Sequence, residues 1–287
     1  MKNLNNIIEN INNKNFEEAL KLCNDYQNNK NKNIILNLKG VIHLLQDNFN
    51  LAETHFKNSL KVNSTFVDPI KNLYILYNKR KNWNEMLKCA KNLTQLDKSN
   101  PTYIYQLGFA FENKNDLDNA IENYKKCINL NGREKKNAYN NIGTIYLKKN
   151  KPNISIKFFL NAFEIDPNDK IIINNILLNY IELRDEKNSD IFYQKAEYLD
   201  NSFIEFLFNK ACYLILKEKV DEAIEILNTY KNKLKFLVKL IKVYFAIGSS
   251  IEAKKLLKIH EEEINKNSNF YNFLGMRFLY EGNFEKG

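Results

Sequence analysis

Apolar residues recur every three or four positions along most of the chain, the spacing that sets one face of an α-helix against a core. Leu4, Ile7, Ile8 and Ile11 open the series as an amphipathic helix. The stretches Leu107-Gly108-Phe109-Ala110-Phe111 and Ile142-Gly143-Thr144-Ile145-Tyr146 then repeat one design at a period of about 34 residues, and Leu274-Gly275-Met276-Arg277-Phe278 repeats it again. A short polar turn and a second apolar helix follow each. This pattern predicts helical hairpins starting near residues 1, 33, 67, 101, 136, 170, 204, 234 and 268, in one array over residues 1–287 with an incomplete last unit. The unit near Ile204 is short by about four residues, which predicts a tight turn after Tyr230 or a clipped second helix.

Packing explains the period. A small residue on the first helix (Gly40, Gly108, Gly143, Ala211, Gly275) and another on the return helix (Ala52, Ala120, Ser155, Ala223, Ala253) let the two approach closely. Large residues then fill the gaps between hairpins. Phe16, Phe49, Trp83, Leu117, Val220 and Phe284 recur just after the turn as packing residues. Asn15, Asn48, Asn82, Asp116 and Asn283 precede several of them and are expected to cap the second helix, a side-chain oxygen accepting from an orphan backbone N–H.

Composition narrows the chemistry. Gly (8) and Pro (4) are scarce, which disfavours long loops and many tight β-turns. The net charge of +9 favours acidic partners, yet the lysines are dispersed, and that disfavours nucleic acid. Cys23, Cys89, Cys127 and Cys212 are far apart and read as free core thiols in a reducing compartment. His43, His55 and His260 fall apart from one another, with His43 at a place that Phe111 and Tyr146 take elsewhere. Signatures of phosphate-binding loops, zinc proteases or serine hydrolases are missing, so the chain is read as non-enzymatic, without cofactor or metal. No stretch is apolar enough to suggest a signal peptide or a membrane span, and the expected location is the cytoplasm.

The clearest unit runs from Lys136 to Asp169, with Tyr139, Ile142, Gly143 and Tyr146 on its first helix and Ser155, Phe159, Ala162 and Pro167 on and after its second. That set resembles the tetratricopeptide repeat (TPR) family. The resemblance implies an all-α, right-handed superhelical solenoid of about eight and a half hairpins, with the first helices lining a concave groove. At the sixth place of successive units stand Asn72, Gln106, Asn141, Asn175 and Asn209, a row similar to the asparagine ladder of O-linked N-acetylglucosamine transferases and kinesin light chains. Asn140 and Asn174, one place earlier, add to it, and Lys71, Tyr105, Phe109 and Phe208 lie around it.

By resemblance, then, the chain is expected to be a scaffold that binds a protein or an extended, preferentially acidic peptide through main-chain contacts with amide side chains. The chaperone-tail subtype is disfavoured, because Thr102, Gln106 and Phe109 stand where it needs Lys or Asn. Gly287 stands where the small residue of a second helix belongs, which suggests the N-terminal part of a longer polypeptide or a last hairpin completed by a partner. The alternatives are therefore a substrate-recruiting region of a longer modifying enzyme, such as a glycosyl- or sulfotransferase, and RNA binding.

Overall fold

The structure is a computed structural model that describes residues 2–26 and 29–261. The expectations placed on the unit near 268, on Gly275, Asn283 and Phe284, and on Gly287 lie outside those residues. The chain divides into two compact units, Met1–Ile145 and Tyr146–Gly287.

Among the described residues, sixteen α-helices alternate as first and second members of hairpins. They are α1 (Lys2–Asn12), α2 (Phe16–Asp25), α3 (Lys32–Leu45), α4 (Phe49–Val62), α5 (Val67–Lys79), α6 (Trp83–Leu96), α7 (Pro101–Asn113) and α8 (Leu117–Asn129). The series continues with α9 (Lys135–Lys148), α10 (Pro152–Ile165), α11 (Lys170–Glu182), α12 (Glu186–Leu199), α13 (Ile204–Leu216), α14 (Val220–Thr229), α15 (Leu234–Ala246) and α16 (Ser250–Ile259). α14 has only ten residues, so the deletion in that unit is taken out of the second helix.

The small-for-large interlock can be measured at two sites. A Cβ added to Gly40 of α3 would lie 2.5 Å from the Phe56 ring of α4, and one added to Gly108 of α7 would lie 2.9 Å from the Tyr124 ring of α8. Phe56 and Tyr124 are themselves fully buried. Ala52, Ala120, Ser155, Ala223 and Ala253 are also out of solvent, as close helix approach requires.

Every described hairpin turns the same way. Lys14, Asp47, Lys81, Asn115, Asn150, Arg184, Glu218 and Gly248 all have positive φ, each two residues before its second helix. In the α3–α4 turn the Asp47 amide donates to Leu44 O (3.2 Å) and the Asn48 amide to His43 O (2.8 Å), which satisfies two orphan carbonyls of α3. Gly248 and Ser249 repeat the pair on Phe245 O and Tyr244 O. Only one of these eight left-handed positions is glycine.

An L-residue pays about 1–2 kcal/mol for that conformation, while glycine adds an unfolded-state entropy cost of about 0.5–1 kcal/mol. Lys81 and Glu218 are exposed. Lys81→Gly and Glu218→Gly are therefore expected to raise unfolding stability by roughly 0.5–1 kcal/mol each. Chemical denaturation checks this; a loss at both positions would show that the side chains contribute more than the backbone conformation costs.

Helix capping is more selective than the sequence pattern suggests. Asn82 accepts from the Glu85 amide and Asp116 from the Asn119 amide, both at 3.4 Å. Asn15 and Asn48 make no side-chain cap. The Asn15 amide group is instead turned back toward α1, where it donates to Asn10 Oδ1 at 3.4 Å, and the Asn48 side chain stays in solvent. Asp185 caps α12 through the Asn188 amide (3.1 Å).

Candidate functional site

The first helices carry the polar row, and three of its amides, Asn72, Asn141 and Asn209, are tied to the hairpin before. In the first unit Asn72 of α5 donates from Nδ2 to Asn37 Oδ1 of α3 at 2.9 Å. Asn141 of α9 donates to the hydroxyls of Tyr105 (3.1 Å) and Tyr124 (3.0 Å). In the second unit Asn209 of α13 donates to Asn174 O of α11 at 2.9 Å, with Asn174 Oδ1 at 3.3 Å.

One rule covers all three cases. A sixth-place amide reaches the fifth-place residue of the preceding hairpin: Asn72 to Asn37, Asn141 to Tyr105, Asn209 to Asn174. Counting the sixth place alone missed Asn37, which is buried, and missed the stapling role of Tyr105 and Asn174. The signal is a polar fifth-place residue followed by an amide 35 or 36 positions later.

The expected site residues therefore differ in what they offer a ligand. Asn174 and Asn209 are 3% and 4% exposed, with Asn174 Nδ2 also donating to Lys170 O at 2.8 Å, so their faces point into the protein. Asn72, Gln106, Asn140, Asn141 and Asn175 are partly exposed. Asn140 O accepts from the Thr144 hydroxyl at 3.0 Å. Gln106 Oε1 is buried without a partner, while the Gln106 carbonyl accepts from the Tyr74 hydroxyl at 3.2 Å. An amide that donates once keeps a second N–H and its remaining acceptor capacity.

The surrounding side chains are similarly engaged. Lys71 pairs with Asp68 at 3.8 Å and lies 5.8 Å above the Tyr103 ring. Tyr105 tilts against Tyr124 at 5.4 Å, and burial raises the pKa of both phenols. The Tyr124 hydroxyl donates to Glu112 Oε2 at 2.8 Å. Phe109 packs on the core cluster around Tyr74 and Ala110. Phe208 meets Phe236 edge-on at 5.3 Å.

The cysteines, together with His43 and His55, behave as packing. All four cysteines are buried and free. Burial pushes the thiols of Cys23 and Cys127 up to about 11 and that of Cys89 up to about 12, which leaves little thiolate at neutral pH. His43 and His55 stack across α3 and α4 with centroids 5.3 Å apart, and burial, together with Lys39, holds both imidazoles below their ordinary pKa. Their Nδ1 atoms have no partner, as neutral rings used for packing would leave them.

Among the described residues, no group of three or more His, Cys, Asp or Glu is placed to hold a metal ion, and no helix is long and apolar enough to cross a membrane. A cleft of about 680 Å³ opens at the α1–α2 turn. Its lining sets Lys14 and Lys21 against Glu17 and Glu18, so charge selects no ligand class there.

Residues 101–133 and 137–169 match the tetratricopeptide repeat family, so the chain carries repeats of that type. It is 32% identical over 144 residues to anaphase-promoting complex subunit 3 of Schizosaccharomyces pombe, a match covering 49% of this chain and 21% of that subunit. The chain thus spans about a fifth of the length of that relative. A solved structure of PilF from Pseudomonas aeruginosa has a TM-score of 0.60 at 13% identity, covering 72% of this chain and 96% of PilF. A MamA structure has a TM-score of 0.54 at 20% identity, covering 60% of this chain and 93% of MamA. At these identities the likeness is one of fold: an all-helical hairpin repeat, as the pattern of small and large residues implies.

Proposed function

We propose that this chain is a non-catalytic scaffold that holds an extended segment of another protein along the first-helix faces of its hairpins. In the first unit the contact set is Lys71, Asn72, Tyr105, Gln106, Phe109, Asn140 and Asn141; in the second it centres on Asn175, beside Asn174, Phe208 and Asn209. The observation that carries the reading is the stapling of Asn72 and Asn141 to the hairpins before them, at 2.9 and 3.1 Å. Amides already held in one rotamer lose little side-chain entropy when a peptide main chain pairs with their remaining donors and acceptors.

The relative named as a subunit of the anaphase-promoting complex supports a role in assemblies. Asn141→Ala is a poor probe, because it also removes two bonds to buried or half-buried phenols. Gln106 is better placed, since its Oε1 has no partner to lose.

Peptides selected by display against the chain are expected to lose affinity roughly tenfold in the Gln106→Ala/Phe109→Ala variant. Melting curves of the variant separate binding from folding. Failure to enrich any peptide, or unchanged affinity in a folded variant, would sink this reading.

A further inference from the structure

We infer that His43 and His55 make the α3–α4 hairpin acid-sensitive: as neutral rings they stack and close it, and as protonated rings they push it open.

The pair occupies a place that another hairpin fills with an aromatic stack. His43 of α3 and His55 of α4 lie with ring centroids 5.3 Å apart and planes 9° from parallel. Tyr146 of α9 and Phe158 of α10, likewise twelve residues apart in the chain, lie 5.5 Å from each other at 17°. Histidine is the side chain whose charge changes between about pH 5 and 8. Of the two stacks, the one in α3–α4 therefore gains charge on mild acidification.

The hairpin receives such a proton poorly. Nδ1 of each ring is buried without a hydrogen-bond partner. An imidazolium donates from both nitrogens, so charging either ring leaves a buried N–H with no acceptor, a loss that the hydrated unfolded chain does not suffer. Lys39 stands one turn before His43 on the same face of α3, with its ammonium held by Asn24 Oδ1 of α2 at 2.6 Å. The buried Cys23 of α2 adds no charge, its thiol being pushed up to about 11. The nearby carboxylates already have cations. Asp47 in the turn pairs with Lys79 of α5 at 3.1 Å, and Glu53 of α4 pairs with Arg80, just after α5, at 2.8 Å. The charges acting on the rings are Lys39 on both and, once protonated, His43 on His55; both are repulsive.

Both imidazoles are held below the ordinary value of 6.5, chiefly by burial. A base with a depressed folded pKa binds its proton more readily in the unfolded chain. The stack therefore supports the hairpin fully above pH 6.5 and progressively less as the pH falls below it. The consequence spreads through two neighbours. His55 adjoins Phe56, whose ring fills the space over Gly40, and α3 carries Asn37, the acceptor for Asn72 of α5. Opening the hairpin thus loosens the amide row as well.

Hydrogen exchange of the full chain at about pH 7.5 and about pH 5.5, corrected for intrinsic rates, reads the hairpin locally. The native protein should lose roughly tenfold protection on α3 and α4 at the lower pH, while α7 and α8 keep theirs. His43→Tyr/His55→Phe, the pair taken from α9–α10, should abolish the loss, and His260→Asn should preserve it. Histidine NMR titration of the native chain decides the matter even where the double variant fails to fold, since both rings should titrate below 6.5. Unchanged protection of α3 and α4 in the native protein, a loss that persists in the folded double variant, or rings that titrate at or above 6.5 would each overturn the inference.

Discussion

Phe56→Ala is expected to destabilise the α3–α4 hairpin by about 3–5 kcal/mol, the usual loss when a fully buried aromatic leaves a cavity. The informative comparison is with Gly40. In the native protein Gly40→Ala pushes a methyl group to 2.5 Å from a ring that has no room to move, an overpacking cost of about 1–3 kcal/mol. Once the ring is gone the clash disappears, and alanine is favoured over glycine in a helix by about 1 kcal/mol. Gly40→Ala should therefore destabilise the native protein and stabilise the Phe56→Ala variant. Such a change of sign in a double-mutant cycle identifies direct coupling. Trp83, the single tryptophan, packs on the same cluster as Phe56, so its fluorescence in urea titrations follows this part of the array. Gly40→Ala costs of equal size in both backgrounds would show that the interlock does not set hairpin approach.

Asn179→Leu is expected to stabilise the protein by about 1–3 kcal/mol, the usual penalty for a buried polar group left unsatisfied. Asn179 is 0% exposed, and neither Nδ2 nor Oδ1 has a partner. Its counterparts in four of the other hairpins are Ile42, Leu76, Ala110 and Ile145, all apolar and all fully buried. Ser189 Oγ of the facing helix α12 is buried and unpaired as well, so the α11–α12 hairpin holds two polar groups without compensation. Native-state hydrogen exchange of α11 and α12 reads the effect where it arises, which suits an array whose hairpins open locally. Faster exchange in Asn179→Leu would mean that a trapped water satisfies the amide in the native protein.

These two residues mark how far the sequence could be read. Gly40, Gly108 and the aromatics opposite them follow from periodicity because helix approach leaves only one size of side chain at each place. Asn179 does not, since a polar residue on a buried stripe has no physical rationale and asparagine is over-used throughout the chain. The amide row was legible at Asn72, Asn141 and Asn209, but its stapling was not, because a fifth-place to sixth-place bond joins residues 35 or 36 apart. The turns were hidden for a different reason. Lys14, Lys81, Arg184 and Glu218 carry no compositional mark of a left-handed residue, and only the carbonyls left orphaned at each first-helix end demand one.

Hydrogen–deuterium exchange of the chain with and without a display-selected peptide tests the central claim most directly. The scaffold reading predicts added protection on first helices, α5, α7 and α9 in one unit or α11, α13 and α15 in the other, with α6, α8, α12 and α14 unchanged. Protection confined to second helices would contradict it.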